Sequence, residues 1–86
     1  MMYDIIFSDL SLQQLKKLEK KINLRVISTL ERCRVRPHSY VKKLVGYPYY
    51  RLRVGDYRVI MDIKQNELKI FIIVVGHRKN IYKNLK

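Results

Sequence analysis

The sequence predicts an α+β domain: an N-terminal strand, an α-hairpin, an antiparallel three-stranded meander and a short C-terminal helix. Two apolar stripes at helical spacing, a change to strand periodicity after Tyr50, and a Gly55-Asp56 pair between two strand-like runs carry that reading. Residues 3–7 are a short run of β-formers and read as the first strand. Ser11 and Gln14 follow at capping-box spacing. Leu12, Leu15, Leu18 and Ile22 then recur at helical intervals, with Lys16, Lys17, Lys20 and Lys21 on the opposite side. Asn23 reads as a break. Val26, Ile27, Leu30 and Cys33 form a second stripe that stops before Pro37.

Residues 37–48 read as irregular, punctuated by Gly46 and Pro48. Residues 50–54 and 57–63 flank the Gly55-Asp56 turn, residues 64–67 make the next turn, and residues 68–75 form the last strand. Ile81 and Leu85, at i and i+4, mark the short final helix. A two-residue first loop sets Val54 against Tyr57, Arg53 against Arg58, Leu52 against Val59 and Arg51 against Ile60. Period two then gathers Leu52, Val54, Tyr57, Val59, Met61 and Ile63 on one apolar face, against which the α-hairpin packs. Arg51, Arg53, Arg58, Ile60 and Asp62 take the other. A two-residue second loop sets Asp62 against Lys69, sending Leu68, Ile70, Ile72 and Val74 to the hairpin face and Phe71 and Ile73 to the arginine face.

With 86 residues the chain is expected to form one domain, spanning 1–86. Lys and Arg number 19 against 7 Asp and Glu, a net charge of +12 that suits a polyanion or a strongly acidic partner. The longest apolar run, residues 70–76, is far shorter than the roughly 18–20 residues of a membrane span. The first residues show no basic segment leading into a long apolar core, so a cytoplasmic protein is expected. Cys33 stands alone, which excludes an internal disulfide framework and a cysteine zinc site, and its place on an apolar stripe reads as core. His38 and His77 lie too far apart in the chain to read as a metal-ligand pair. No metal and no cofactor are expected.

Arg53 across from Arg58, with Arg51 one pleat away, is a costly arrangement, because like charges directly opposite in an antiparallel pair repel. Phosphate relieves the repulsion, since the planar guanidinium fork binds phosphate oxygens through paired hydrogen bonds. Beyond the last strand come His77, Arg78, Lys79, Tyr82 and Lys83, with no acid among them. Histidine is the residue type that exchanges protons near neutral pH, and an exposed tyrosine can stack on a base.

The blocks Lys43-Leu44-Val45-Gly46, Tyr50-Arg51-Leu52-Arg53-Val54-Gly55-Asp56-Tyr57-Arg58-Val59-Ile60 and Val75-Gly76-His77-Arg78-Lys79-Asn80-Ile81-Tyr82 resemble the RelE/ParE superfamily of toxins from toxin–antitoxin pairs. The likeness runs along essentially the whole chain and is strongest to the RelE-type branch. It implies the RelE-like fold and a toxin that enters the ribosomal A site and cuts messenger RNA without a metal. There the ribose 2′-hydroxyl attacks the adjacent phosphate, leaving a cyclic phosphate and a free 5′-hydroxyl. By the same resemblance Arg58 matches the arginine that clamps the scissile phosphate, Arg78 the arginine after the last strand, and Tyr82 the C-terminal tyrosine that orients the substrate. Arg51 and Arg53 fall where such toxins carry basic residues on the second strand.

Those second-strand residues are lysines in the best-known members. Arginine does not deprotonate in practice, so Arg51 and Arg53 stabilise charge but serve poorly as bases. His77 is therefore the first candidate for acid or base, and Tyr82 the second. The expected catalytic set is Arg58, Arg78, Tyr82, His77 and Arg53, with Arg51, Arg53, Lys79 and Lys83 binding RNA. The resemblance also implies the ribosome and mRNA as partners, and an antitoxin, expected to be acidic, as inhibitor. Either the Ile81/Leu85 segment or that antitoxin covers Ile60, Phe71 and Ile73. Two rival functions use the same fold: a ParE-like gyrase poison, and an RNA- or ribosome-binding homologue that cuts weakly or not at all.

Overall fold

Ser8, rather than Ser11, starts the first helix. In the computed structural model, which describes residues 2–85, Ser8 Oγ accepts a hydrogen bond from the Ser11 N–H at 3.0 Å, and helix α1 runs Asp9–Lys17. Asp9 in its first turn and Lys16 and Lys17 in its last complement the helix dipole. Helix α2 spans Lys20–Cys33, so Asn23 is not a break but lies inside it. Its side-chain Nδ2 donates to the Leu15 carbonyl at 2.8 Å, a second bond to an oxygen that already accepts from the Leu18 N–H at 3.1 Å, and so ties α2 to the end of α1.

The strands are β1 (Asp4–Phe7), β2 (Val41–Lys43), β3 (Tyr50–Val54), β4 (Tyr57–Lys64) and β5 (Lys69–His77), forming one sheet in the order β1-β5-β4-β3-β2. The α+β class and the meander are as expected. Strand β2 is an addition, found inside the segment read as irregular. β1 pairs parallel to β5 and the other neighbours are antiparallel.

The first hairpin has the expected register, with Arg53 opposite Arg58 and Leu52 opposite Val59. Gly55 takes φ +59° while Asp56 does not turn positive, as in a II′ hairpin turn, which needs φ > 0 at its first central residue.

The second hairpin departs from expectation twice. Its loop is longer than two residues, a 3-10 turn Gln65–Glu67 followed by Leu68 at φ 55°. Lys64 therefore faces Lys69, Asp62 faces Phe71, and Asp62 pairs instead with Lys64 at 3.2 Å. Further along, Met61 faces Ile72 but Ile60 faces Val74, so Ile73 is an extra residue on β5. Such a bulge reverses the alternation of every later side chain. Val74 thus joins the arginine face and Val75 the hairpin face, the reverse of the expected assignment for Val74. β5 also outruns β1 here, and α1 with its cap supplies the missing partners: Ser8 Oγ donates to the Ile73 carbonyl at 2.8 Å, and Gln14 Oε1 accepts from the Val75 N–H at 2.7 Å.

Two apolar cores result. Between the α-hairpin and the sheet, Val26, Leu30 and Cys33 of α2 meet Leu52, Val59, Met61, Ile70, Ile72 and Val75. On the opposite face Ile60 and Val74 are sealed by Ile81 and Leu85, with Ile73 packed beside them. The tail thus covers Ile60 and Ile73 as a single 3-10 turn, Ile81–Asn84, rather than an α-helix. Phe71 lies outside that cover, between Asp62 and the exposed Ile6. Among the described residues no helix is long and apolar enough to cross a membrane.

Candidate nucleic-acid interface

The alternation of β3 sends Leu52 and Val54 into the hairpin core and Arg51 and Arg53 to the opposite face. The II′ turn returns the chain so that Arg58 emerges beside Arg53. On the other flank, β2 pairs Lys42 with Arg51, which places Lys42 on the same face. Together Tyr40, Lys42, Arg51, Arg53 and Arg58 line a cleft of about 190 Å³. The ion pairs among the described residues join Arg34 to Glu31, Lys64 to Asp62, Lys69 to Glu67 and Arg78 to Asp56, so no carboxylate among those residues pairs with a cation of the cleft.

Two of the arginines are held in place. Arg58 Nη1 donates to the Gly55 carbonyl at 2.8 Å and to the Tyr57 carbonyl at 2.9 Å, both in the turn that precedes it. That anchors one nitrogen and leaves Nε and Nη2 as a side-on fork of the kind that grips phosphate. Arg51 Nη1 donates to the Tyr82 hydroxyl at 3.2 Å, which brings the C-terminal tyrosine to the rim. The fold therefore gathers Arg51, Arg53, Arg58 and Tyr82 as expected.

Other expected residues fall elsewhere. His77 faces Tyr57 across the sheet, with the rings edge to face at 5.4 Å, on the hairpin side rather than the arginine side. The bulge at Ile73 is the cause, since without it His77 would have shared the arginine face. Arg78 lines no part of the cleft; its N–H donates to the Asp56 carbonyl at 2.8 Å and its Nε lies 3.8 Å from Asp56 Oδ1, on the turn that anchors Arg58. Lys79 and Lys83 are exposed in the tail outside the cleft. Sequence reasoning missed Tyr40 and Lys42, although polar Tyr40 and Lys42 around the half-buried Val41 carry the period-two signal. Cys33 has no place at the site: burial pushes its thiol up to about 11, with the Arg32 charge only partly opposing the shift. Among the described residues no cluster of His, Cys, Asp and Glu is arranged to hold a metal ion.

Residues 5–82 match the family model described as the ParE toxin of the type II toxin–antitoxin system parDE. The chain belongs to that family. Within it this is a RelE-like toxin, as its relatives show. It is 33% identical over 85 residues to Toxin RelE3 of Methanocaldococcus jannaschii, covering 91% of this chain and 93% of the relative. The archaeal RelE–RelB complex from Pyrococcus horikoshii contains a similar chain, 27% identical with a TM-score of 0.77, covering 91% of this toxin and 97% of that chain. The RelBE2 toxin–antitoxin complex of Mycobacterium tuberculosis gives a TM-score of 0.84 at 23% identity, covering 91% of this toxin and 100% of that chain, a likeness of fold. This toxin therefore has the RelE-like fold, with its arginine cleft on the sheet face away from the α-hairpin.

Proposed function

We propose that this toxin is a ribonuclease that acts on messenger RNA at the ribosome and that an acidic antitoxin silences it. The observation that carries the reading is the cleft in which Arg51, Arg53 and Arg58 converge with no carboxylate partner among the described residues, one of them anchored through a single nitrogen. A phosphodiester in that cleft meets three guanidinium groups, two of them held by hydrogen bonds. Attack of the ribose 2′-hydroxyl on the phosphate builds charge on the phosphoryl oxygens, and donors already in place stabilise that charge without reorganising. Tyr82, exposed and tied to Arg51, is positioned to stack on a base and set the backbone in register. The products are a 2′,3′-cyclic phosphate and a free 5′-hydroxyl.

The antitoxin part of the proposal draws on the relatives, whose solved forms include complexes with RelB proteins. A net charge of +12 favours fast association with an acidic chain. Exposed Ile6 and half-buried Phe71 beside it, together with the outer edge of β1 at the end of the sheet, offer such a partner an apolar seat.

Induced expression of the wild-type toxin, followed by mapping of transcript ends, tests the proposal. Translational arrest with new 5′-hydroxyl ends inside coding sequence supports it. Uncut transcripts accompanied by loss of gyrase supercoiling overturn it in favour of a gyrase poison.

A further inference from the structure

Arginine does not exchange protons near neutral pH, so a cleft walled by Arg51, Arg53 and Arg58 needs another side chain for that part of the chemistry. His77 lies on the opposite face of the sheet, against Tyr57. The cleft itself offers Tyr40 and Lys42. At its rim the Tyr82 hydroxyl already accepts from Arg51. Lys42 stands directly across from Arg51 in the β2–β3 register, is exposed, and has no carboxylate partner among the described residues. Its neighbour Lys43 is engaged elsewhere, with its ammonium 5.2 Å from the centre of the Tyr50 ring. Of the two groups lining the cleft, the ammonium brings a proton and a positive charge to a forming alkoxide, whereas the Tyr40 phenol brings only the proton.

We infer that Lys42 is the general acid of this toxin, delivering a proton to the 5′-oxygen of the departing nucleotide. The inference rests on the ribonuclease reading above. In the step, the 2′-hydroxyl releases its proton to solvent and its oxygen bonds to phosphorus. The bond from phosphorus to the 5′-oxygen breaks, with its electron pair going to that oxygen. An Nζ–H proton of Lys42 moves to the 5′-oxygen, and the resulting amine regains a proton from water. The phosphate sits between Arg53 and Arg58, and the leaving side points to the Lys42–Arg51 end of the cleft.

A substrate whose leaving group needs no proton tests this directly. Ribosomes programmed with a message carrying a sulfur in place of the 5′-oxygen at the cut site are compared with the ordinary message. Lys42→Gln and Lys42→Arg should both slow the ordinary cut by about 10²–10⁴-fold, the range for removing an acid or base. Both should cut the sulfur-bridged message close to the wild-type rate, whereas Arg58→Ala should remain slow on both. Equal losses for Lys42→Gln on the two messages overturn the inference, as does a wild-type rate for Lys42→Arg on the ordinary one. A wild-type toxin that cuts neither message overturns the ribonuclease reading, and this inference with it.

Discussion

Arg53 and Arg58 face each other across the β3–β4 hairpin, and neither meets a carboxylate among the described residues. Two like charges in directly opposed positions lower the stability of an antiparallel pair. The turn makes the pairing unavoidable: Gly55 and Asp56 fix the register, and the Gly55 and Tyr57 carbonyls then hold Arg58 Nη1 at 2.8 and 2.9 Å. A side chain that only needed solvent would gain little from that restraint. One that must meet phosphate repeatedly in a single geometry gains orientation.

His77→Gln should leave cleavage within about tenfold of wild type, because the imidazole sits on the hairpin side against Tyr57. Loss of a working acid or base costs more than that, about 10²–10⁴-fold. Single-turnover rates on programmed ribosomes measure the effect, and a thousandfold loss would restore His77 to the site.

Gly55→Ala should destabilise the fold by about 1–2 kcal/mol, the cost of placing a side chain at positive φ. An added Cβ would also stand 3.0 Å from Arg25 Nη1, though that mobile group can yield. Gly55→Asn should lose less, since asparagine tolerates this region better. Urea unfolding compares the variants. Equal stability for alanine and glycine would mean that the turn does not hold the φ of +59°.

Stability should depend on Cys33 at high pH. The buried thiol is raised from 9.0 to about 11, so the folded state holds its proton more tightly than the unfolded chain. Its contribution is complete below about pH 9 and fades as pH rises through 11, a loss on the order of 2–3 kcal/mol. The stability gap between wild type and Cys33→Ala should therefore narrow between those pH values. A gap that stays constant would place the thiol in contact with water.

Ile60→Ala should cost about 2–5 kcal/mol, as other buried large-to-small changes do. Because Ile60 lies under Ile81 and Leu85, the variant should also release the C-terminal turn to proteolysis before the rest unfolds. Limited proteolysis followed by mass measurement reads this, and cleavage first in α1 or α2 would contradict it.

The α-hairpin and the first β-hairpin are legible in the sequence because their polar and apolar residues alternate with a visible period. Leu52, Val54 and Val59 fall inside while Arg51, Arg53 and Arg58 fall outside. The bulge is invisible for the opposite reason. Residues 70–75 are all apolar, so an extra residue at Ile73 leaves no mark on the pattern, yet it moves His77 to the far face. Strand β2 is masked by its three-residue length, and with it the contribution of Tyr40 and Lys42 to the cleft. The helix start shifted because Ser8 and Ser11 are both good caps, and only the path out of β1 decides between them.

The most direct measurement is single-turnover cleavage of ribosome-bound message by wild type and Arg58→Ala, with ribosome association followed by co-sedimentation. Arg58→Ala should still sediment with ribosomes while cutting about 10²–10³-fold more slowly, the scale for losing one transition-state donor. An unchanged cleavage rate in the variant would contradict the assignment of this arginine cleft to the scissile phosphate.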